Sequence, residues 1–113
     1  REVEASSTGV AAIKKVLERH RCQYIVSKTW TTDAIYRETA EKVQLRKAEG
    51  CLSVEMECAA FFAVAQFRKV TFAQILYGGD DVSCADWDSR SWQDRGTIRE
   101  KIFWLAAEAC LEL

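Results

Sequence analysis

The chain has no proline, one methionine and one histidine. No apolar run approaches the roughly 18 residues that a membrane-spanning helix requires, so nothing in it reads as a bilayer span. An excess of either charge is also missing. Sixteen Lys+Arg against 17 Asp+Glu leave a formal net charge of -1, which argues against a bulk nucleic-acid binder and against a polybasic membrane binder. The opening residues Arg1-Glu2-Val3-Glu4 carry no apolar h-region and do not form a signal peptide. They also lack an initiator methionine, which points to a fragment, a processed chain or a trimmed piece. C-x-x-C spacing is absent as well. The five cysteines, Cys22, Cys51, Cys58, Cys84 and Cys110, are odd in number and fit reduced thiols in a cytoplasmic protein better than a disulfide framework or a zinc site. A Cys-His metal site or a Ser-His-Asp triad would rest on His20 alone. That residue sits at a helix end beside Arg19 and Arg21 and reads as a solvated or helix-capping histidine.

What is present is apolar content and periodicity. A content of 49% hydrophobic residues argues against disorder, and 113 residues without repeat or linker read as one domain. Ser6, Ser7 and Thr8 offer caps for a helix over 8–20 whose face carries Val10, Ile13, Val16 and Leu17. Gln23 to Trp30 is β-branched and aromatic and predicts a strand. Tyr36 to Glu49 predicts a charged helix with a Glu38–Lys42 pair, closed by Gly50. Cys51 to Met56 predicts a short strand. Glu57 to Phe67 is apolar on every side and predicts a buried helix. Val70 to Tyr77 predicts another strand, and a final helix from about Arg95 places Ile98, Ile102, Leu105 and Ala109 on one face. Strands alternating with helices give an α/β fold with a mixed sheet flanked by helices. In such sheets ligands gather at the carboxyl ends of strands. Three polar clusters fall there: Thr31-Thr32-Asp33, Glu55-Met56-Glu57 and Gly78-Gly79-Asp80-Asp81.

Glu55-Met56-Glu57 places two carboxylates where an apolar strand meets an apolar helix. A buried carboxylate must be met by a partner. The pair can cap the helix and bridge to arginine. Alternatively, Glu57 can accept from two adjacent sugar hydroxyls, since a carboxylate offers two acceptor oxygens. In Gly78-Gly79-Asp80-Asp81 the glycines permit close approach of the backbone. The aspartates have the wrong sign for a phosphate cradle, which wants N–H groups beside a lysine. They can act as a general-acid pair, one proton held by burial and by the neighbouring charge. They can equally cap a turn. A metal loop with Asp86 and Asp88 lacks EF-hand spacing and its glycine. Trp30, Trp87, Trp92 and Trp104 read as core or interface residues, with Trp87 and Trp92 the nearer to a site or subunit contact.

Taken together, Gly50-Cys51-Leu52-Ser53-Val54-Glu55-Met56-Glu57-Cys58-Ala59-Ala60 resembles the ribose-binding signature of the nucleoside phosphorylase family, the purine nucleoside and uridine phosphorylases with the related nucleosidases. Thr29 to Glu38 resembles the family's base-pocket segment. Ile75-Leu76-Tyr77-Gly78-Gly79-Asp80-Asp81 occupies the place of the strand whose end carries the purine-contacting aspartate. Order and spacing of all three agree, and the resemblance covers nearly the whole chain.

The resemblance implies cleavage of a nucleoside's N-glycosidic bond by phosphate, giving a free base and a pentose 1-phosphate through a transition state with oxocarbenium character. No cofactor is implied; phosphate is the co-substrate. Met56 would pack on the ribose, Glu57 would hold its hydroxyls, and Glu55 would line the base side with Thr32 and Ile35. Asp80 would be the catalytic acid that meets charge building on the leaving purine. Ile35 stands where the family often has a stacking phenylalanine. Thr39 and Glu41 lie where uridine phosphorylases carry uracil-binding Gln and Arg, which with Asp80 tilts the expectation toward purines. The family's phosphate site, on glycine-rich loops with arginines in its N-terminal half, has no counterpart here. Residues 1–113 thus read as a single partial domain, the C-terminal half of a phosphorylase. It is expected to expose apolar surface and to pair with itself or with an N-terminal half. The alternative is a non-catalytic homologue that binds nucleosides or only oligomerises.

Overall fold

The computed structural model describes residues 2–83, 86, 88–91 and 96–113. Cys84, Trp87, Trp92 and the predicted start of the last helix at Arg95 lie outside the described residues. The elements follow in the order α1 (Ser7–Arg19), β1 (Lys28–Thr31), a 3₁₀ turn (Ile35–Arg37), α2 (Ala40–Ala48), β2 (Cys51–Glu55), α3 (Cys58–Arg68) and α4 (Gly96–Cys110). The fold is mixed α/β. β1 and β2 pair in parallel, with Thr29 opposite Ser53, Trp30 opposite Val54 and Thr31 opposite Glu55. The only antiparallel pairing among the described residues is an isolated bridge between Asp81 and Asp88. Among those residues no helix is long and apolar enough to cross a membrane.

The chain divides into two units. The first comprises Arg1–Ile25, Ala60–Leu76 and Arg95–Leu113. Here α1 starts where the Ser6 hydroxyl accepts from the Gly9 N–H. It ends at His20, whose N–H returns to the Val16 carbonyl, so His20 is the helix-capping residue that its position predicts. Val16 and Leu17 of α1 close against Leu105 and Ala109 of α4 in one buried cluster, with Ile13, Cys22 and Tyr24 packed on it. Outside this seam runs an exposed charge lattice. Glu112 pairs with Lys15 and Arg19, and Glu108 pairs with Arg19 and with His20 Nε2 at 2.6 Å. Gly9 admits the segment after α3. A Cβ at Gly9 would lie 2.9 Å from the Ala73 Cβ, so any side chain here forces a shift.

Two expectations are corrected in this unit. Val70 to Tyr77 forms no strand. The Phe72 carbonyl accepts from Ser6 N–H at 3.0 Å, but no ladder forms among the described residues, and without a ladder β-propensity has no hydrogen bonds to stabilise it. Helix α3 is not buried on every side. Cys58, Phe62 and Ala65 are buried on one stripe, and Phe72 meets the rings of Phe62 and Phe61 edge-on at 5.0 and 5.9 Å. Phe61, Val64 and Phe67 are exposed, Phe67 by 83%. The exposed apolar surface expected of the sequence is therefore present, on α3 and again on α4 at Phe103 and Trp104.

The second unit comprises Val26–Ala59 and Tyr77–Asp94. The predicted strand at 23–30 shortens to Lys28–Thr31, because pairing with β2 begins only at Lys28. The predicted helix at 36–49 splits. Thr39 accepts from Lys42 N–H and restarts the chain as α2, a competition between hydroxyl and backbone that threonine readily wins at a helix start. Glu38 is left outside the helix, and the expected Glu38–Lys42 ion pair does not form. Lys42 instead lies 5.6 Å from the centre of the Trp30 ring, with the Arg46 guanidinium 6.0 Å from it. Gly50 follows the helix end at φ +85°, the left-handed geometry that glycine adopts without strain.

Candidate functional site

The carboxyl ends of β1 and β2 form the site's frame. Register places Thr31 beside Glu55, and Thr32 N–H extends the ladder by donating to the Glu55 carbonyl at 2.8 Å. Thr32 is 1% exposed, and its hydroxyl donates to the Ala34 carbonyl at 3.1 Å, turning the chain into the 3₁₀ segment. That turn presents Ile35 outward at 76% exposure; Asp33 pairs with Arg37 at 3.2 Å.

Glu55 turns toward the protein. One carboxylate oxygen accepts from the Thr31 hydroxyl, and the other accepts from the N–H groups of Glu57, at 2.8 Å, and Cys58. The Thr31 hydroxyl in turn accepts from Ala59 N–H at 3.0 Å. The first N–H groups of a helix have no partner within it, and an anion there also meets the favourable end of the helix dipole. Glu55 is thus the helix-capping carboxylate, although no arginine bridges it among the described residues. Burial first, and then the charge of Glu55, push the Cys58 thiol up to about 11, so it stays protonated at neutral pH.

With Glu55 so occupied, Met56 and Glu57 are the open members of the motif. Met56 is 47% exposed; Glu57 is exposed, and its Oε2 accepts from Met56 N–H at 3.3 Å. A carboxylate with remaining acceptor capacity beside a soft apolar side chain suits a polyol with one apolar face.

The two aspartates of the glycine cluster part company. Asp81 closes a loop. It accepts from Ser83 N–H at 2.8 Å and from Arg90 at 2.7 Å, and exchanges backbone bonds with Asp88. Hydrogen bonds from Ser83, and after them the Arg90 charge, hold its carboxyl below the usual carboxylate range. Asp80 is exposed, and its charge acts on Glu38. Burial, followed by that charge, raises the Glu38 carboxyl above its ordinary value. Among the described residues no group of three or more His, Cys, Asp or Glu is placed to hold a metal ion.

The structure therefore brings Thr32, Glu55, Met56 and Glu57 to one end of the strand pair, sets Ile35 on the turn that follows, and places Asp80 near Glu38. Sequence reasoning gave Thr31 no role beyond membership of a polar cluster and Glu38 none beyond an ion pair. Thr31 becomes visible only through register, which sets its hydroxyl opposite Glu55. Glu38 was read as half of a helical ion pair. A parallel strand pair with a carboxylate-capped helix at its carboxyl end defines an α/β protein. The family model of the phosphorylase superfamily matches residues 1–103, and the chain belongs to that superfamily.

Proposed function

We propose that this chain carries the ribose and base contacts of a nucleoside phosphorylase, which transfers a pentosyl group from a nucleoside to phosphate and releases the base. The observation that carries the reading is the division of labour in Glu55-Met56-Glu57: Glu55 is taken up by the helix, while Met56 and Glu57 stand open at the carboxyl end of β2. Glu57 accepts from the ribose diol and Met56 packs on the sugar. Thr32 and Ile35 belong to the base side. Asp80, once protonated, donates to the departing purine and so meets the charge that builds on it. Phosphate is the nucleophile and no other cofactor takes part. Asp80-Asp81 has the wrong sign for phosphate, and the resemblance puts the phosphate site on arginine-bearing glycine-rich loops without a counterpart here; on this reading the isolated 113 residues bind a nucleoside without turning it over.

Inosine and uridine, each with phosphate, test this. The isolated chain is expected to bind inosine and release no base. Measurable phosphorolysis overturns the assignment of phosphate binding to residues outside this chain, and base release that continues without phosphate makes it a nucleosidase. In an active full-length form, Asp80→Asn lowers purine turnover more than pyrimidine turnover; equal losses remove the acid role. A second reading, an oligomerising homologue without turnover, draws on the exposed Phe61, Val64 and Phe67. It predicts self-association in sedimentation and no nucleoside binding.

A further inference from the structure

We infer that Thr31 and Glu55 are positioning residues that set the ribose specificity of the site through Glu57, without touching the sugar themselves. The inference rests on the nucleoside reading above and deepens it. Its basis is a closed set of hydrogen bonds that ties three elements together. The Thr31 hydroxyl at the end of β1 donates to one Glu55 oxygen and accepts from Ala59 N–H. The other Glu55 oxygen, at the end of β2, accepts from Glu57 and Cys58 N–H.

Each group has a defined share. A carboxylate has two oxygens, and here one serves the strand while the other serves the helix. The hydroxyl both gives and takes from a single oxygen. The N–H that Glu55 holds at 2.8 Å is that of Glu57 itself, so the bond fixes the backbone of the residue proposed to grip the diol. With Glu55 locked, the exposed Glu57 carboxylate is delivered from a fixed main chain. With Glu55 released, the start of α3 is free to fray and Glu57 loses its direction. The cost then falls on recognition of vicinal hydroxyls and spares contacts that do not pass through Glu57.

That asymmetry is the test. The 113-residue chain is titrated calorimetrically with inosine and with 2′,3′-dideoxyinosine. Wild type is expected to favour inosine by about tenfold or more, the effect of hydrogen bonds to a charged group. Thr31→Val removes the hydroxyl at nearly constant shape. Inosine affinity should fall about tenfold while dideoxyinosine affinity stays within about twofold, so the preference collapses. Thr31→Ser keeps the hydroxyl and should keep the preference. Glu55→Met removes both acceptor oxygens at similar side-chain length and leaves strand and helix unserved, so it should behave like Thr31→Val; it decides the matter if the valine variant does not fold.

A preference that survives in Thr31→Val or, if that variant does not fold, in Glu55→Met overturns the inference, as does its loss in Thr31→Ser. Equal losses for both ligands reduce the two residues to a purely structural role and also overturn it. Wild type that binds neither ligand overturns the proposed function and this inference with it. Wild type that binds both ligands equally defeats the diol grip of Glu57, and the positioning role with it.

Discussion

The two units of this chain are held by different forces. Around α1 and α4 the interior is apolar: Val16, Leu17, Leu105 and Ala109 close on one another, and charged residues stay outside as a lattice in water. Around β1 and β2 the most deeply buried side chain is a threonine, and the ends of strand and helix are tied by hydroxyls and a carboxylate. Packing of the first kind tolerates polar change at its rim. An arrangement of the second kind places directional groups where a ligand can meet them, at the cost of depending on every partner. The candidate site lies in the second kind.

That contrast can be broken most sharply by Leu105→Ala. A leucine truncated in a buried seam costs about 2–5 kcal/mol. A large drop in the thermal midpoint is expected, and a drop no greater than that of Thr32→Val would erase the distinction. Glu57→Ala comes next and should separate stability from binding. Nucleoside affinity falls by the roughly 1.5–3 kcal/mol of hydrogen bonds to a charged group, while unfolding changes little because the side chain is exposed. Thr39→Ala, which removes the α2 cap, should cost about 1 kcal/mol in denaturant unfolding.

The smallest effect is one of sign. Lys15 and Arg19 hold Glu112 below the ordinary carboxylate range, as His20 and Arg19 hold Glu108. Their contribution is present at neutral pH and fades as acid takes the pH through those lowered values. Glu38, raised by burial and by Asp80, acts the other way: its protonated form is favoured by the fold, and mild acid relieves a cost. Hydrogen exchange should show acid loosening α1 and α4 while the turn at Glu38 tightens. High salt should weaken the α1–α4 lattice, since exposed ion pairs are screened.

Helix α1 was readable because three signals agree there: a serine cap, a periodic face and a charged end. The Glu55-Met56-Glu57 motif was readable because paired acids at an apolar junction demand an explanation. The start of α2 was misread because charge patterning from Tyr36 to Glu49 is helical throughout, while one hydroxyl, Thr39, decides where the helix begins. Val70–Tyr77 looked like a strand because its residues suit one; whether a strand forms depends on a neighbour. The roles of Glu55 and Glu57 could not be told apart in sequence, where they are two similar acids one residue apart.

The amino-acid order alone determined that these helices exist, the family and the motif, because caps, periodicity and local spacing act over a few residues. Tertiary structure decided which glutamate is consumed by the helix, that Thr31 faces Glu55, that Asp81 closes a loop while Asp80 stands near Glu38, and which face of α3 is covered. Those outcomes depend on register and on contacts between segments far apart in the chain, and no local pattern encodes them.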